Sequence, residues 1–169
     1  EIIPDRIEAG TFLISSMLCG GEIILKNSNP KHLSILLAKL ESAGAEINVE
    51  DRKIKLTSQG KINPVDMVTA PYPGFPTDLQ AQWMVLMTKS LGSAVIKDEV
   101  YTDRFTHIAE LNRLGAKISL NSNIAVVEGV EKLKGAPLMS TDIRASASLI
   151  LGALAAEGKS EISRIYHID

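Results

Sequence analysis

Three stretches of the chain place apolar or small residues on nearly every side of a helix. They read TFLISSMLC, LQAQWMVLM and ASASLILGALAA, and they belong to helices predicted at about 9–19, 78–91 and 142–156. Helices that are hydrophobic all round are buried on every side. The pattern therefore predicts three helices in the interior of the protein, with strands outside them.

Two further predicted helices carry an apolar stripe and a polar face. Each follows a short apolar strand: the strands are predicted at 22–27 and 93–98, and the helices at about 31–43 and 104–114. Each helix ends in Gly-Ala, a glycine stop typical of helix C-termini. Two alternating strands then follow, joined by a turn that suits a hairpin.

The two copies of this arrangement keep the same spacing. Gly21 and Gly92 are 71 residues apart, and so are Gly44 and Gly115. A constant period of this length indicates repeated supersecondary units.

A third unit is indicated at the end of the chain. Asp5, Asp78 and Asp142 stand at or near the starts of the three interior helices, and the units lie at about 1–60, 61–135 and 136–169. The third unit stops after its first strand, and the chain begins with Glu1 rather than Met. We therefore expect a single domain cut from a longer protein, without the last helix and hairpin of its third unit.

Composition narrows the function classes. The 169 residues are 45% hydrophobic and 22% charged, which is typical of a globular protein. A net charge of -2 provides no general attraction to nucleic acid or to an anionic membrane, so neither partner is predicted. The single Cys19 excludes an internal disulfide and, with only three His, disfavours a zinc site. We expect a cytoplasmic protein with no metal and no cofactor.

In the stretch APYPGFPTDLQAQW, residues 70–83, three prolines and a glycine precede one carboxylate, Asp78, which stands at a predicted helix start. That carboxylate could be a first-turn acid, stabilised by about 0.3–1 kcal/mol, beside a capping box of Thr77 and Gln80. A catalytic base equally needs to be held in place before its substrate arrives. The residues alone leave both interpretations open.

Six motifs, in this order, resemble the UDP-N-acetylglucosamine enolpyruvyl transferases of the EPSP synthase family. They are PDRIEAGTF (4–12), FPTDLQAQ (75–82), DRFTHIAEL (103–111), GVEKLKGA (129–136), TDIRASASLILGALAAEG (141–158) and RIYHID (164–169). The resemblance implies an α/β fold in which each of two domains is an inside-out barrel of three β-α-β-α-β-β units with threefold pseudo-symmetry. This chain would be one of those domains, with its third unit truncated.

The resemblance also implies a reaction and a site. Enzymes of this family move the enolpyruvyl group of phosphoenolpyruvate onto the 3-hydroxyl of UDP-N-acetylglucosamine, the first committed step of bacterial peptidoglycan synthesis. Asp78 matches the base or proton relay beside the sugar hydroxyl, and Val100 matches a contact to the nucleotide sugar, through its backbone. We expect Arg104 and Arg144 to help bind anionic substrate in the cleft.

The residues themselves permit structural roles for these positions. Arg104, predicted to begin a helix, could pair with Asp103 or Glu99, and Arg144 could pair with Asp142 at a helix start.

Other reactive side chains are not expected to be catalysts. Cys19 ends an apolar helix with no basic neighbour that would lower its pKa. The family's reactive cysteine lies on a loop of the other domain. His107 and His167 are expected on a helix surface or at a strand end.

The sequence leaves three alternative functions besides that of a UDP-N-acetylglucosamine enolpyruvyl transferase. The shikimate-pathway enolpyruvyl transferase (3-phosphoshikimate 1-carboxyvinyltransferase) shares the fold and the chemistry. RNA 3′-phosphate cyclases have a related repeat architecture, although the acidic balance of the chain disfavours them. A repeat-built module without chemistry is the third.

Overall fold

The computed structural model describes residues 2–167, without the side chain of His167. Glu1, Ile168 and Asp169, the last two from the RIYHID motif, lie outside the described residues. The α-helices are α1 (Arg6–Cys19), α2 (Ser34–Ser42), α3 (Gln80–Met87), α4 (His107–Arg113) and α5 (Ile143–Ala155). Single turns of 3-10 helix occupy Pro30–Leu33, Thr77–Leu79 and Ile165–His167.

The strands are short and fall mostly where the alternating pattern predicts them. They are β1 (Gly21–Leu25), β2 (Glu46–Glu50), β3 (Lys53–Ser58), β4 (Met67–Val68), β5 (Ser93–Lys97), β6 (Lys117–Asn121), β7 (Ile124–Glu128), β8 (Leu133–Lys134), β9 (Pro137–Met139), β10 (Ala156–Glu157) and β11 (Glu161–Ser163).

The interior helices α1, α3 and α5 pack against one another. Helix α3 is buried along its whole length, Gln80–Met87, as its apolar sequence predicts. The prediction is wrong for one side of α1 and α5, because Phe12 is 51% exposed and Ile143 is 66% exposed. Between the helices, Gly10 allows close approach of Leu79, whose Cδ1 lies 2.6 Å from where a Cβ would stand.

Two groups of three antiparallel strands repeat one register. β1 pairs with β3 and β3 with β2, while β5 pairs with β7 and β7 with β6. Side chains along a strand point alternately to opposite faces. Ile54 and Leu56 of β3, and Ala125 and Val127 of β7, are therefore buried while their neighbours face outward.

Parallel pairs join the strands that precede an interior helix to the strands that follow it. β4 pairs in parallel with β5, β8 with β10, and β9 with β11. The middle of the chain thus runs β4, α3, β5, α4, β6, β7, the predicted β-α-β-α-β-β order.

Three helices are shorter than predicted. Helix α2 begins at Ser34 rather than at 31, after a 3-10 turn at Pro30–Leu33. Helix α3 ends at Met87 rather than near 91. At this observed end, the hydroxyl of Thr88 donates to the carbonyl of Val85 at 2.6 Å. Side-chain hydroxyls that bond nearby backbone compete with helix continuation. Helix α4 begins at His107 rather than at 104, so Arg104 lies in the loop before the helix.

No helix among residues 2–167 combines the length and the apolar character that crossing a bilayer requires.

The proline-rich loop is anchored in the core by Phe75. The N–H of Ala70 donates to the carbonyl of Phe75 at 3.0 Å, and the Tyr72–Pro73 peptide is cis. The Phe75 ring is 1% exposed and meets Trp83 edge to face, with ring centroids 5.5 Å apart. Burial of this ring holds the loop against α3 and so positions the turn that carries Asp78.

We expect Phe75→Ala to lower the free energy of unfolding by about 3–5 kcal/mol, because it removes a buried ring and leaves a cavity. The measurement is urea denaturation followed by the fluorescence of Trp83, the only tryptophan. Tyr72→Ala is the matched control in the same loop, because this ring is 58% exposed and stacks on Arg6. It should lower the unfolding free energy by less than about 1 kcal/mol. Equal losses for the two variants would contradict the anchoring role.

Candidate active site

The N-terminal ends of the three interior helices meet at one mouth of the domain. A pocket of about 330 Å³ lies there, and it is lined by Ile7, Glu8, Thr11, Phe12, Asp78, Gln82, Ile143, Arg144 and Ala147. Open N–H groups and the helix dipole make helix N-termini favourable for negative charge.

Asp5 and Asp142 cap α1 and α5 at this mouth. Asp5 Oδ1 accepts from the N–H of Ile7 at 2.7 Å, and Asp142 Oδ1 accepts from the N–H groups of Arg144 and Ala145 at 2.9 and 3.0 Å. Such caps satisfy donors that the helix itself leaves unpaired. These two aspartates therefore have structural partners.

Asp78 does not cap its helix. It lies in the 3-10 turn Thr77–Leu79, and no side chain in the described part of the chain caps that turn or α3. The capping box of Thr77 and Gln80 is not formed, because the Thr77 hydroxyl donates to Asp98 at 2.7 Å. The Asp78 carboxylate instead accepts from Nε of Arg144.

The Asp78–Arg144 ion pair is accessible to a ligand. The two side chains are 39% and 38% exposed, so the pair contributes only about 0–1 kcal/mol to stability. Asp142, which the sequence allowed as the partner of Arg144, caps the backbone instead. The Asp78 carboxylate is therefore in contact with one cation and with solvent.

A second cavity, of about 170 Å³, lies beside this pair. It is lined by Thr77, Gln80, Ala81, Arg104, His107, Asp142, Arg144 and Ala145. Three buried nitrogen atoms of the lining residues have no hydrogen-bond partner among residues 2–167: Gln80 Nε2, Arg104 Nη1 and His107 Nε2. Buried polar atoms are nearly always paired. Two arginines and an amide donor around one cavity are able to bind a carboxylate or phosphate group.

Arg104 is held by an aromatic ring rather than by an acid. Its guanidinium carbon lies 3.3 Å from the centroid of the Tyr101 ring. Among residues 2–167 the alternative pairing with Asp103 or Glu99 is absent, and Glu99 pairs with Lys97 at 2.7 Å. One face of Arg104 is therefore packed, while no acid of residues 2–167 neutralises its charge.

Val100 lies in the loop after β5, with its side chain 37% exposed. Its N–H donates to Asp98 Oδ1 at 2.9 Å. A backbone contact from Val100 to a ligand would therefore go through the carbonyl oxygen.

Sequence reasoning missed Asp98. Its side chain is fully buried, and its two carboxylate oxygens accept from the hydroxyls of Thr69 and Thr77 and from the N–H groups of Val100 and Tyr101. The sequence signal for its burial was the alternation of inward and outward side chains along β5. Ala94 and Ile96 of β5 point inward, and Asp98, just after the strand, continues this series. An acidic residue on a buried face needs dedicated partners.

His107 was expected on a helix surface, and the structure corrects this. The side chain is 3% exposed and stacks on Phe105, with ring centroids 6.3 Å apart. Burial lowers the pKa of His107 to about 4, against an opposing effect of Asp142, so the ring is neutral at pH 7. The signal was its spacing from Leu111 and Leu114, which places it on the apolar stripe of α4.

Cys19 is exposed at the end of α1, and partial burial raises the pKa of its thiol. A thiol with a raised pKa is a poor nucleophile, as expected for this position.

Solved structures of two enzymes share this fold. The crystal structure of the enolpyruvyl transferase NikO from Streptomyces tendae superposes on the chain with a TM-score of 0.89 at 25% identity, covering 99% of this chain and 40% of that one. EPSP synthase from Acinetobacter baumannii superposes with a TM-score of 0.73 at 12% identity, covering 95% of this chain and 39% of that one. The fold is that of one domain of an enolpyruvyl transferase.

Family and sequence relatives agree with this class. The family model of EPSP synthase (3-phosphoshikimate 1-carboxyvinyltransferase) matches residues 1–169, and the chain belongs to that family. The UDP-N-acetylglucosamine 1-carboxyvinyltransferases of Bartonella henselae and Desulfatibacillum aliphaticivorans are 50% and 51% identical to it over 100% and 99% of its length. The chain spans about 40% of the length of these curated relatives.

The buried His107 predicts a pH dependence of stability. Because its pKa falls from 6.5 to about 4 on folding, the unfolded state binds more protons between these values, and stability is lost as the pH falls below about 6.5. From pH 7.5 to pH 5, this loss should be about 2 kcal/mol. The free energy of unfolding, measured by urea denaturation at both pH values, should fall in the wild type as the pH is lowered. In His107→Gln this fall should be smaller by about 2 kcal/mol. An equal fall in both proteins would contradict the assignment.

Proposed function

We propose that this chain is one domain of an enzyme that transfers the enolpyruvyl group of phosphoenolpyruvate to the 3-hydroxyl of UDP-N-acetylglucosamine and releases phosphate. The observation that carries the proposal is the match of about 50% identity across the whole chain to relatives that bear the name of this activity. The solved EPSP synthase, at 12% identity, shares only the fold, so the shikimate-pathway alternative has less support.

In the proposed mechanism Asp78 acts as the base. The hydroxyl oxygen of the sugar bonds to C2 of phosphoenolpyruvate while its proton passes to the Asp78 carboxylate, and an acid elsewhere protonates the methylene carbon. Elimination then removes a proton from the resulting methyl group, re-forms the double bond and breaks the bond to phosphate. The half-exposed position of this carboxylate in the turn before α3, in contact with Arg144, supports this role.

Arg144 and Arg104 would bind the anionic groups of the substrates. When a carboxylate or phosphate group enters the cavity between them, Arg144 can exchange its contact with Asp78 for the ligand, which frees the base near the sugar hydroxyl. Preorganised cations beside developing negative charge are a large source of transition-state stabilisation. Val100 would contact the nucleotide sugar through its carbonyl oxygen.

We further propose a domain of three β-α-β-α-β-β units, at about 1–60, 61–135 and 136–169, that forms part of an inside-out barrel with threefold pseudo-symmetry. The rest of the third unit and a second domain of the same polypeptide would complete the barrel and the cleft. The 40% share of the curated relatives supports this arrangement. The proposed setting is peptidoglycan synthesis in the bacterial cytoplasm.

The proposal is tested by phosphate release from the longer protein that carries this chain. With phosphoenolpyruvate and UDP-N-acetylglucosamine we expect phosphate and the enolpyruvyl sugar, and with shikimate 3-phosphate as acceptor we expect neither. The reverse preference would establish the shikimate-pathway reaction. Residues 1–169 alone should release no phosphate from the same substrates, because the cleft needs the second domain.

The role of Asp78 is tested by Asp78→Asn in the same assay. The amide cannot accept the hydroxyl proton, so kcat should fall about 10²–10⁴-fold. Because the ion pair with Arg144 is half exposed, the free energy of unfolding should change by less than about 1 kcal/mol. Asp103→Asn, an exposed acid in the loop before α4, is the matched control and should retain activity. A kcat within threefold of wild type for Asp78→Asn would rule out its role as base.

A further inference from the structure

We infer that Asp98 is a positioning residue that locks the two arms of the site into one geometry. The first arm is the turn Thr77–Leu79, which carries the proposed base, and the second is the loop 99–104, which carries Val100 and Arg104. The inference rests on the proposed function for its kinetic consequences, while its structural consequence can be measured independently.

The contacts of Asp98 join the two arms directly. Oδ2 accepts from the Thr77 hydroxyl at 2.7 Å, and Oδ1 accepts from the N–H groups of Val100 and Tyr101 at 2.9 and 2.8 Å. The Thr69 hydroxyl, at the other end of the proline-rich loop, donates to Oδ1 at 2.6 Å. A single carboxylate therefore bonds both ends of one segment and the start of the other.

The Thr69 hydroxyl and the backbone of Asp98 reinforce this connection. The Thr69 oxygen also accepts from the N–H of Glu99 at 3.0 Å. The N–H of Asp98 donates to the carbonyl of Asn123 at 3.1 Å, and Nδ2 of Asn123 donates to the carbonyl of Asp98 at 2.9 Å. The hairpin between β6 and β7 thus holds Asp98 from the side opposite the site.

The chemistry of the contacts calls for a carboxylate. All four partners donate, and an ionised carboxylate has two oxygens that only accept. In an asparagine at this position, the NH₂ group would face one set of these donors and could not accept from them. Among residues 2–167 no cation lies within 4 Å of the Asp98 carboxylate, so hydrogen bonds alone compensate its burial.

Each arm leads from Asp98 to a group of the proposed site. Thr77 directly precedes Asp78, whose carboxylate contacts Arg144. Tyr101 presents the ring on which the Arg104 guanidinium packs. Displacement of Asp98 should therefore move the base and the second arginine relative to each other, and a shift of about 1 Å can lower a rate about 100-fold.

The structural test is amide hydrogen exchange on the complete protein, with Asp98→Asn and the control Asp103→Asn. In Asp98→Asn, exchange should accelerate in residues 77–79 and 99–104 together and stay unchanged in the hairpin of β2 and β3. Asp103, in the second arm, is exposed and has no side-chain partner among the described residues, so its variant should match wild type. Acceleration in only one arm, or across the whole protein, would overturn the inference.

The kinetic test uses Thr77→Val and Thr77→Ser, which keep the protein assayable if Asp98→Asn does not fold. Thr77→Val removes only the contact on the base side, so kcat should fall about tenfold or more while KM for the nucleotide sugar stays within about threefold. Thr77→Ser keeps the hydroxyl and should restore most of the loss. Asp98→Asn should lower kcat and raise KM together.

Two results would count against the inference in this assay. One is a kcat for folded Thr77→Val within twofold of wild type, and the other is no recovery in Thr77→Ser. Failure of the wild-type protein to release phosphate would refute the proposed function instead, and the exchange measurement would then decide the role of Asp98 alone.

Discussion

Helix α3 has almost no surface in contact with water, and this burial constrains the rest of the domain. Its eight residues, Gln80–Met87, are all buried, so other elements must cover it on every side. Helices α1 and α5 pack on it, and the sheets add further cover with their inward faces. Side chains along such a helix serve packing. Reactive groups can meet a ligand only at its ends, and Asp78 lies in the turn at one of them.

The charges at this mouth are arranged so that positive groups remain available. Asp5 and Asp142 are used by the helix N-termini, and the carboxylate of Asp98 is satisfied by uncharged donors. Arg104 packs on an aromatic ring, and Arg144 has a half-exposed partner. Arginine charge near helix N-termini, without a buried acid to neutralise it, favours ligands that carry phosphate or carboxylate groups.

The relatives separate what the fold requires from what the chemistry requires. A TM-score of 0.73 at 12% identity shows that the arrangement of helices and sheets tolerates replacement of most side chains. Interior positions need volume and apolar character, which several residues supply. Function depends on particular groups in particular places, so the fold alone does not specify it.

Several structural features of this protein could be predicted from its sequence alone. Local patterns were sufficient for the repeat, the buried α3 and the two hairpins, because hydrophobic period and glycine stops act within one element. The proline-rich segment before α3 also marked Asp78 as a candidate site residue. Tertiary structure alone decided that Asp78 meets Arg144, which is 66 residues away, and which groups surround the buried Asp98 and His107. These contacts join segments that are distant along the chain or separated by a loop, and no local pattern specifies which side chains meet across them.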